Sequence, residues 1–304
     1  MGKRPGVLGR VARRYWKLLR IKISLAFFFP MALGFAVAAK YGEPFPWYDV
    51  PLAFAAFFCA SFFSSTLNFY ADVDSDRRFE GRFKDMDLKQ QPFVTGEMGR
   101  VETAAAFAVS GAGCVVLSLL VSLRCSIYVV GFALVVGVIY SHPWFRLKAR
   151  PVTDLLCNVA GMGLSLMAGL SLGGGYRPPV AFLAWGALFI TVVYIPTVAN
   201  DVPFDEAAGY RTSGVYFGAQ RLLWSMVPLT LAMVPFAVVV ALDTEAPWLF
   251  RVATAAGTPL AIAGASVVLY LWHPPRIELN PDLVLFPMYL VIIFFIVYGV
   301  AVMA

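Results

Sequence analysis

Apolar residues run along this chain in long blocks, separated by short polar stretches. The blocks lie near residues 21–40, 51–70, 102–122, 126–140, 152–174, 180–200, 222–242, 252–272 and 283–303. A helix needs about 17–25 mostly apolar residues to cross a bilayer. The pattern therefore predicts about nine transmembrane helices. The fourth is short, and its border with the third falls near Arg124. No linker or composition shift divides the chain, so the predicted fold is all-α: one polytopic membrane domain over 1–304.

Composition agrees. The chain is 60% hydrophobic and 14% charged, where a soluble domain carries about a quarter charged residues. The basic N-terminus runs into a full span rather than a short apolar core with a cleavage site, so no cleaved signal is expected. Cys59, Cys114, Cys125 and Cys157 show no C-x-x-C spacing and read as small apolar filler. With only His142 and His273, a histidine-based zinc site is not expected.

Charge sets the orientation. With the N-terminus inside and nine spans, 20 Lys and Arg residues fall on the cytoplasmic side and 4 outside. That is a strong positive-inside bias. It places the C-terminus outside and the ionisable loops in the cytoplasm, in the cytoplasmic membrane of a prokaryote. Arg10, Arg13, Arg14, Lys17, Arg20 and Lys22 read as an anchor on anionic lipid headgroups. No nucleic-acid partner is expected.

The acidic residues at the span ends carry the chemistry. Asn68, Asp72 and Asp76 are spaced four and four, and each step turns about 40° around a helix, so the three share one face. Asp74 points elsewhere. Such carboxylates suit Mg²⁺, which keeps its waters and accepts phosphate oxygens. The plainer alternative is a solvated loop whose acids balance Arg77 and Arg78. A second pair, Asp201 and Asp205, lies at the same end of the sixth predicted span, with Glu206 beside it. Pro203 is expected to loosen the helix there.

The chain also echoes itself. Asn68 and Asn200 are 132 residues apart, and the His-Pro pairs at His142 and His273 are 131 apart. This register predicts two four-helix repeats plus one helix, with a site at their interface. Two acidic pairs with Arg146, Lys148 and Arg211 nearby make a site for a diphosphate: metals bridge its oxygens and basic groups neutralise the rest. Beside an apolar interior, that points to a polyisoprenoid diphosphate.

These motifs resemble those of the UbiA superfamily of intramembrane prenyltransferases over nearly the full length. Asn68, Asp72 and Asp76 resemble its N-x-x-x-D-x-x-x-D pattern. Tyr140, Ser141, Pro143, Arg146 and Lys148 resemble its tyrosine-serine-x-proline segment with trailing basic pair. Asp201, Asp205, Gly209, Arg211 and Thr212 resemble its second motif. The resemblance implies helices around a central cavity open sideways to lipid, Mg²⁺ as cofactor (two ions) and a polyprenyl diphosphate as donor. It implies catalysis at Asp72, Asp76, Asp201 and Asp205. Those four and Asn68 would ligate metal, and Asn68, Tyr140, Ser141, Arg146, Lys148 and Arg211 would bind substrate, with Tyr194 a further candidate contact on the residue reading alone.

Several roles stay open at this point. Asp154 reads as a general base, a hydrogen-bond anchor or a partner of Arg150 or Lys148. Tyr140 and Tyr194 read as substrate contacts or packed tyrosines, and His142 and His273 as turn or headgroup residues. The acceptor is a lipophilic or aromatic molecule: within the family, aromatic acids, quinone precursors, chlorophyllides, glycerol phosphate ethers and carotenoids serve. A terpene cyclase of the same fold and a secondary transporter are the alternatives. Two departures from the family pattern stand out: Asn68 is followed by Phe69, and Gln91 stands where an arginine is usual. Lys84 and Lys89 are the nearby basic candidates to replace that arginine.

Overall fold

The computed structural model describes residues 14–79, 91–174 and 176–271, with the side chains of 21–23, 78 and 79 left aside. Among the described residues the chain is helical and has no strand. The long helices are α1 (Ile21–Tyr41), α2 (Asp49–Phe79), α3 (Arg100–Val121) and α4 (Leu123–Phe132), which runs on as a π-helical stretch to Ile139. They continue with α5 (Thr153–Leu170), α6 (Val180–Asn200), the short α7 (Val202–Ala208), α8 (Ser213–Phe217) and α9 (Ala219–Trp224), then α10 (Met226–Leu242) and α11 (Trp248–Leu271).

Seven helical stretches among the described residues are long and apolar enough to cross a membrane. The predicted fourth span is the shorter apolar stretch Leu123–Ile139. It separates from α3 because Ser122 turns extended and its Oγ accepts the Cys125 N–H at 3.0 Å. The predicted ninth span, His273, Arg10, Arg13, Lys84, Lys89 and the side chain of Lys22 lie outside the described residues.

Two apolar clusters organise the bundle. One gathers Phe27, Met31, Phe57, Val129 and Phe132 from α1, α2 and α4. The other gathers Trp185, Phe189, Met233, Leu249 and Phe250 from α6, α10 and α11. Helices α1 and α5 contribute to both. In lipid, helices gain by close van der Waals approach rather than by expelling water, and small residues permit it. Here α1 and α5 touch backbone to backbone at Gly34 and Gly169: a β-carbon on Gly169 would collide with the Met31 carbonyl, and one on Gly34 with that of Leu166. Gly169→Val is expected to cost about 3 kcal/mol through this overpacking, read as a fall in melting temperature of the detergent-solubilised protein. An unchanged melting curve would show that the seam can yield.

Two local features place the site. Helix α2 has 31 residues, about 46 Å at 1.5 Å per residue, against a hydrocarbon core of about 30 Å. Nothing in "ADVDSDRRF" breaks a helix, so α2 carries Asp72 and Asp76 on past its apolar stretch. Helix α6 instead ends at Asn200, and the chain re-enters a helix at Val202. Pro203 sits in the first turn of α7, where its missing N–H has no partner to lose. It starts a helix there and does not loosen one. The turn still holds the acids together, since the Asp205 N–H donates to the Asp201 carbonyl at 2.9 Å.

Candidate active site

The first motif is held residue by residue. Asn68 Oδ1 accepts from Arg20 Nη1 at 2.8 Å, and Asn68 Nδ2 donates to the buried Ser141 Oγ at 3.1 Å. Asp72 meets two cations: Arg146 Nη2 lies 3.4 Å from its Oδ1, and Lys148 Nζ bonds its Oδ2. Asp76 Oδ2 accepts from Gln91 Nε2 at 2.7 Å.

The second motif faces the same charges. Asp201 stands at the α6–α7 junction, and Asp205 Oδ2 accepts from Thr212 Oγ1 at 2.8 Å. Lys148, 9% exposed, acts electrostatically on Asp72, Asp76 and Asp205. Arg20 acts on both Asp76 and Asp201. Burial pulls the Lys148 pKa down, and the Asp72 carboxylate opposes that. Asp201 is an exposed residue at the end of α6; desolvation by the neighbouring protein, with the Asp205 charge, pushes it up to about 7. Desolvation pushes Asp205 up to about 6 against the Thr212 hydrogen bond. The protein alone thus under-compensates the second pair, the condition that a bound cation relieves.

Strain collects here. Among the described residues, the non-glycine residues with positive φ are Arg20 (44°), Arg146 (42°) and Val152 (69°). Arg20 and Arg146 bond the first motif directly. The Val152 N–H donates to Ser213 Oγ at 2.8 Å. Sparsely populated backbone persists where the surroundings over-determine it, which is common at functional sites.

Four predicted residues have more specific surroundings than the sequence gave reason to expect. Asp154 is 3% exposed, and its oxygens accept the Ser213 N–H at 2.8 Å, the Ser213 hydroxyl at 2.5 Å and the Leu155 N–H at 2.9 Å. Through these bonds it ties α5 to the segment that follows Asp205. Tyr140 and Tyr194 share a hydrogen bond at 3.3 Å between their hydroxyls. Arg211 is exposed, and its backbone N–H donates to the Ala149 carbonyl at 3.2 Å, tying the second motif to the basic loop.

The basic N-terminal stretch is corrected at its described members. Arg14 Nη1 donates to the Glu97 carbonyl at 2.8 Å and pairs with Glu102 at 3.1 Å, while Lys17 pairs with Glu97 at 3.2 Å. Acids of the α2–α3 segment capture these side chains, and Arg20 turns to Asn68 instead of to headgroups.

Sequence reasoning missed Arg20, Gln91 as a donor to Asp76, and Tyr210. Tyr210 OH accepts from Arg146 and donates to Ser75 Oγ at 3.1 Å, with the Arg146 guanidinium 4.6 Å above its ring. Its position next to Arg211 in "GYRTSG" was the available signal. Arg146 Nε remains buried without a hydrogen-bond partner. A buried, unused donor on a cation beside Asp72 fits an anionic ligand. Among the described residues no group of three or more His, Cys, Asp or Glu converges on one point. The donor set is paired carboxylates, which fits a hard divalent cation completed by water and phosphate oxygens rather than an all-protein cage.

Known proteins share this fold. The chain is similar over 95% of its length to a UbiA homolog from Archaeoglobus fulgidus bound to GPP and Mg²⁺, at 29% identity, 99% coverage of that chain and a TM-score of 0.82. It is 28% identical over 171 residues, 52% of this chain and 39% of the relative, to 2-acyl-4-prenylphloroglucinol 6-prenyltransferase, chloroplastic, from Humulus lupulus. It is 29% identical over 140 residues, 44% of each, to lycopene elongase/hydratase from Haloferax volcanii. The matched region thus spans less than half the length of these curated relatives. The model of the UbiA prenyltransferase family matches residues 27–281. With acids at the ends of α2 and α6, a basic loop between them and a membrane-spanning helical frame, the chain belongs to the UbiA prenyltransferase family.

Proposed function

We propose that this protein is a Mg²⁺-dependent intramembrane prenyltransferase that ionises a polyprenyl diphosphate and transfers the prenyl group to a lipophilic or aromatic acceptor. The observation that carries this reading is the buried Lys148 bonded to Asp72 of the first motif, beside Arg146 with its unused Nε. Asp72 and Asp76 would hold one Mg²⁺, and Asp201 and Asp205 a second. Asn68, held by Arg20 and Ser141, would add a neutral oxygen ligand beside the first pair. When bound, Mg²⁺ supplies positive charge to the diphosphate oxygens.

The remaining chemistry belongs to the chain. Arg146 and Lys148 turn from Asp72 to the diphosphate, and Arg211 approaches from the second motif. They stabilise the charge that grows on the leaving oxygen. The allylic C–O bond breaks heterolytically, its electron pair leaving with the diphosphate. A nucleophilic carbon or oxygen of the acceptor donates its electron pair to the allylic carbon and then loses a proton. Apolar helices keep water from the cation. Tyr140 and Tyr194, joined by their hydroxyls, stand as substrate contacts.

On the charge bias of the loops, the N-terminus and the site face the cytoplasm, the C-terminus lies outside, and the protein resides in the cytoplasmic membrane of a prokaryote. The names of the relatives keep aromatic and carotenoid acceptors both in view.

The test is diphosphate release from a prenyl diphosphate by the purified protein in liposomes. Release is expected to require Mg²⁺, to stop with EDTA, and to yield a prenylated acceptor when membrane lipids are supplied. A hydrocarbon or terpene alcohol formed from the donor alone, with no acceptor product, would make the protein a cyclase. Solute flux across the liposomes without Mg²⁺ or donor would make it a transporter.

A further inference from the structure

We propose that Gln91 is a positioning residue that fixes one oxygen of the Asp76 carboxylate and leaves the other to a divalent cation. The inference rests on the reading that Asp76 holds such a cation.

Gln91 is 3% exposed and opens the described part of the segment between α2 and α3. Its amide has one arrangement that satisfies every atom. Nε2 donates to the Phe69 carbonyl at 2.9 Å and to Asp76 Oδ2 at 2.7 Å. Oε1 accepts the Val94 N–H at 3.2 Å. The NH₂ group has two hydrogens, and these two acceptors use both. Turning the amide over would set its oxygen against two acceptors and its NH₂ against a donor.

The segment around Gln91 is held without help from Asp76. The Gln91 carbonyl accepts the Thr95 N–H at 3.1 Å, and the Pro92 carbonyl accepts the Met98 N–H at 3.3 Å. Phe93 and Met98 pack on Leu18 against α2, and Lys17 pairs with Glu97. Gln91 therefore reaches Asp76 from a seated support, which is what a positioning residue needs.

Its neutrality separates the two acids of the motif. Asp72 is bonded by an ammonium and a guanidinium, which compete with a metal for its charge. Asp76 is bonded by an amide, which orients the carboxylate without bringing a positive charge to it. Asp76 is thus the acid of this motif at which a divalent cation displaces no bonded protein cation. The departure from the family pattern at Gln91 carries a role of its own.

The experiment is a Mn²⁺ titration followed by electron paramagnetic resonance on the purified full-length protein without donor. The variants are Gln91→Leu and Asp76→Asn, with Gln91→Met, which keeps length and flexibility, in case the leucine fails to fold. Gln91→Leu or Gln91→Met is expected to weaken Mn²⁺ binding about 10–100-fold, the range for a lost carboxylate partner behind a metal ligand. Turnover is expected to recover toward wild type at saturating Mg²⁺, a split that a merely structural role would not produce. If Asp76→Asn weakens Mn²⁺ binding and neither Gln91 variant does, the positioning role is overturned while the metal reading stands. If Asp76→Asn binds Mn²⁺ like wild type, Asp76 is not a ligand and this inference falls with that reading.

Discussion

Asp72→Asn and Asp201→Asn are each expected to lower prenyl transfer about 1,000-fold, near 4 kcal/mol of lost transition-state stabilisation. Asparagine keeps the shape of each side chain and removes its charge. In the first motif the change also leaves Lys148 and Arg146 facing a neutral amide where both now bond Asp72. In the second it leaves Asp205 as the lone carboxylate of its pair. The folded state should tolerate Asp201→Asn well, because desolvation and Asp205 already disfavour the Asp201 charge. For Asp201→Asn, loss of transfer with an intact melting curve is the expected pattern, and for Asp72→Asn the same loss with a lowered melting temperature, checked by product formation and thermal unfolding on the same preparation. Full activity in either variant would remove that residue from the site.

Lys148→Met should cost about 100-fold, the scale for losing one electrostatic donor at a developing anion. Methionine keeps much of the stem, which is buried, so the packing loss is small. What disappears is, among the described residues, the ammonium that acts on Asp72, Asp76 and Asp205 together. The loss should appear chiefly in kcat, because the charge it answers grows as the C–O bond breaks. Arginine at this position is not expected to rescue fully, since its planar fork does not fit a pocket closed around a point charge. A rise in KM alone, with kcat unchanged, would instead assign Lys148 to ground-state binding of the donor.

The frame of this fold was legible in the sequence because hydropathy is a local property. The apolar blocks at 21–40, 102–122 and 180–200 became α1, α3 and α6 with borders moved by a residue or two. The acids of both motifs were legible for the same reason: charges at the end of an apolar run stand out, and four-residue spacing puts them on one face. What escaped depends on contacts between distant residues. Arg20 reaches Asn68 across 48 positions, and Tyr210 reaches Ser75 across 135. No local pattern encodes either meeting. Arg14 and Lys17 looked like headgroup anchors because their partners, Glu97 and Glu102, lie some 80 residues on. Asp154 likewise meets Ser213 across 59 positions. Pro203 misled because a proline that breaks one helix also starts the next well.

The surroundings of the two motifs differ in a way that bears on the order of events. Asp72 is already paired with cations, while desolvation disfavours the charges of Asp201 and Asp205, and for Asp201 the Asp205 charge adds to it. A donor that draws Arg146 and Lys148 toward its diphosphate would release Asp72 at the moment a metal is needed there. Metal and donor should therefore bind cooperatively.

The central claim is that these acids run a prenyl transfer inside the membrane. Mass spectrometry of membrane lipids from cells expressing the wild type or Asp72→Asn at equal levels tests it most directly. The account predicts a prenylated lipid or aromatic product with the wild type that vanishes with the variant. The same product at the same level in both would contradict it.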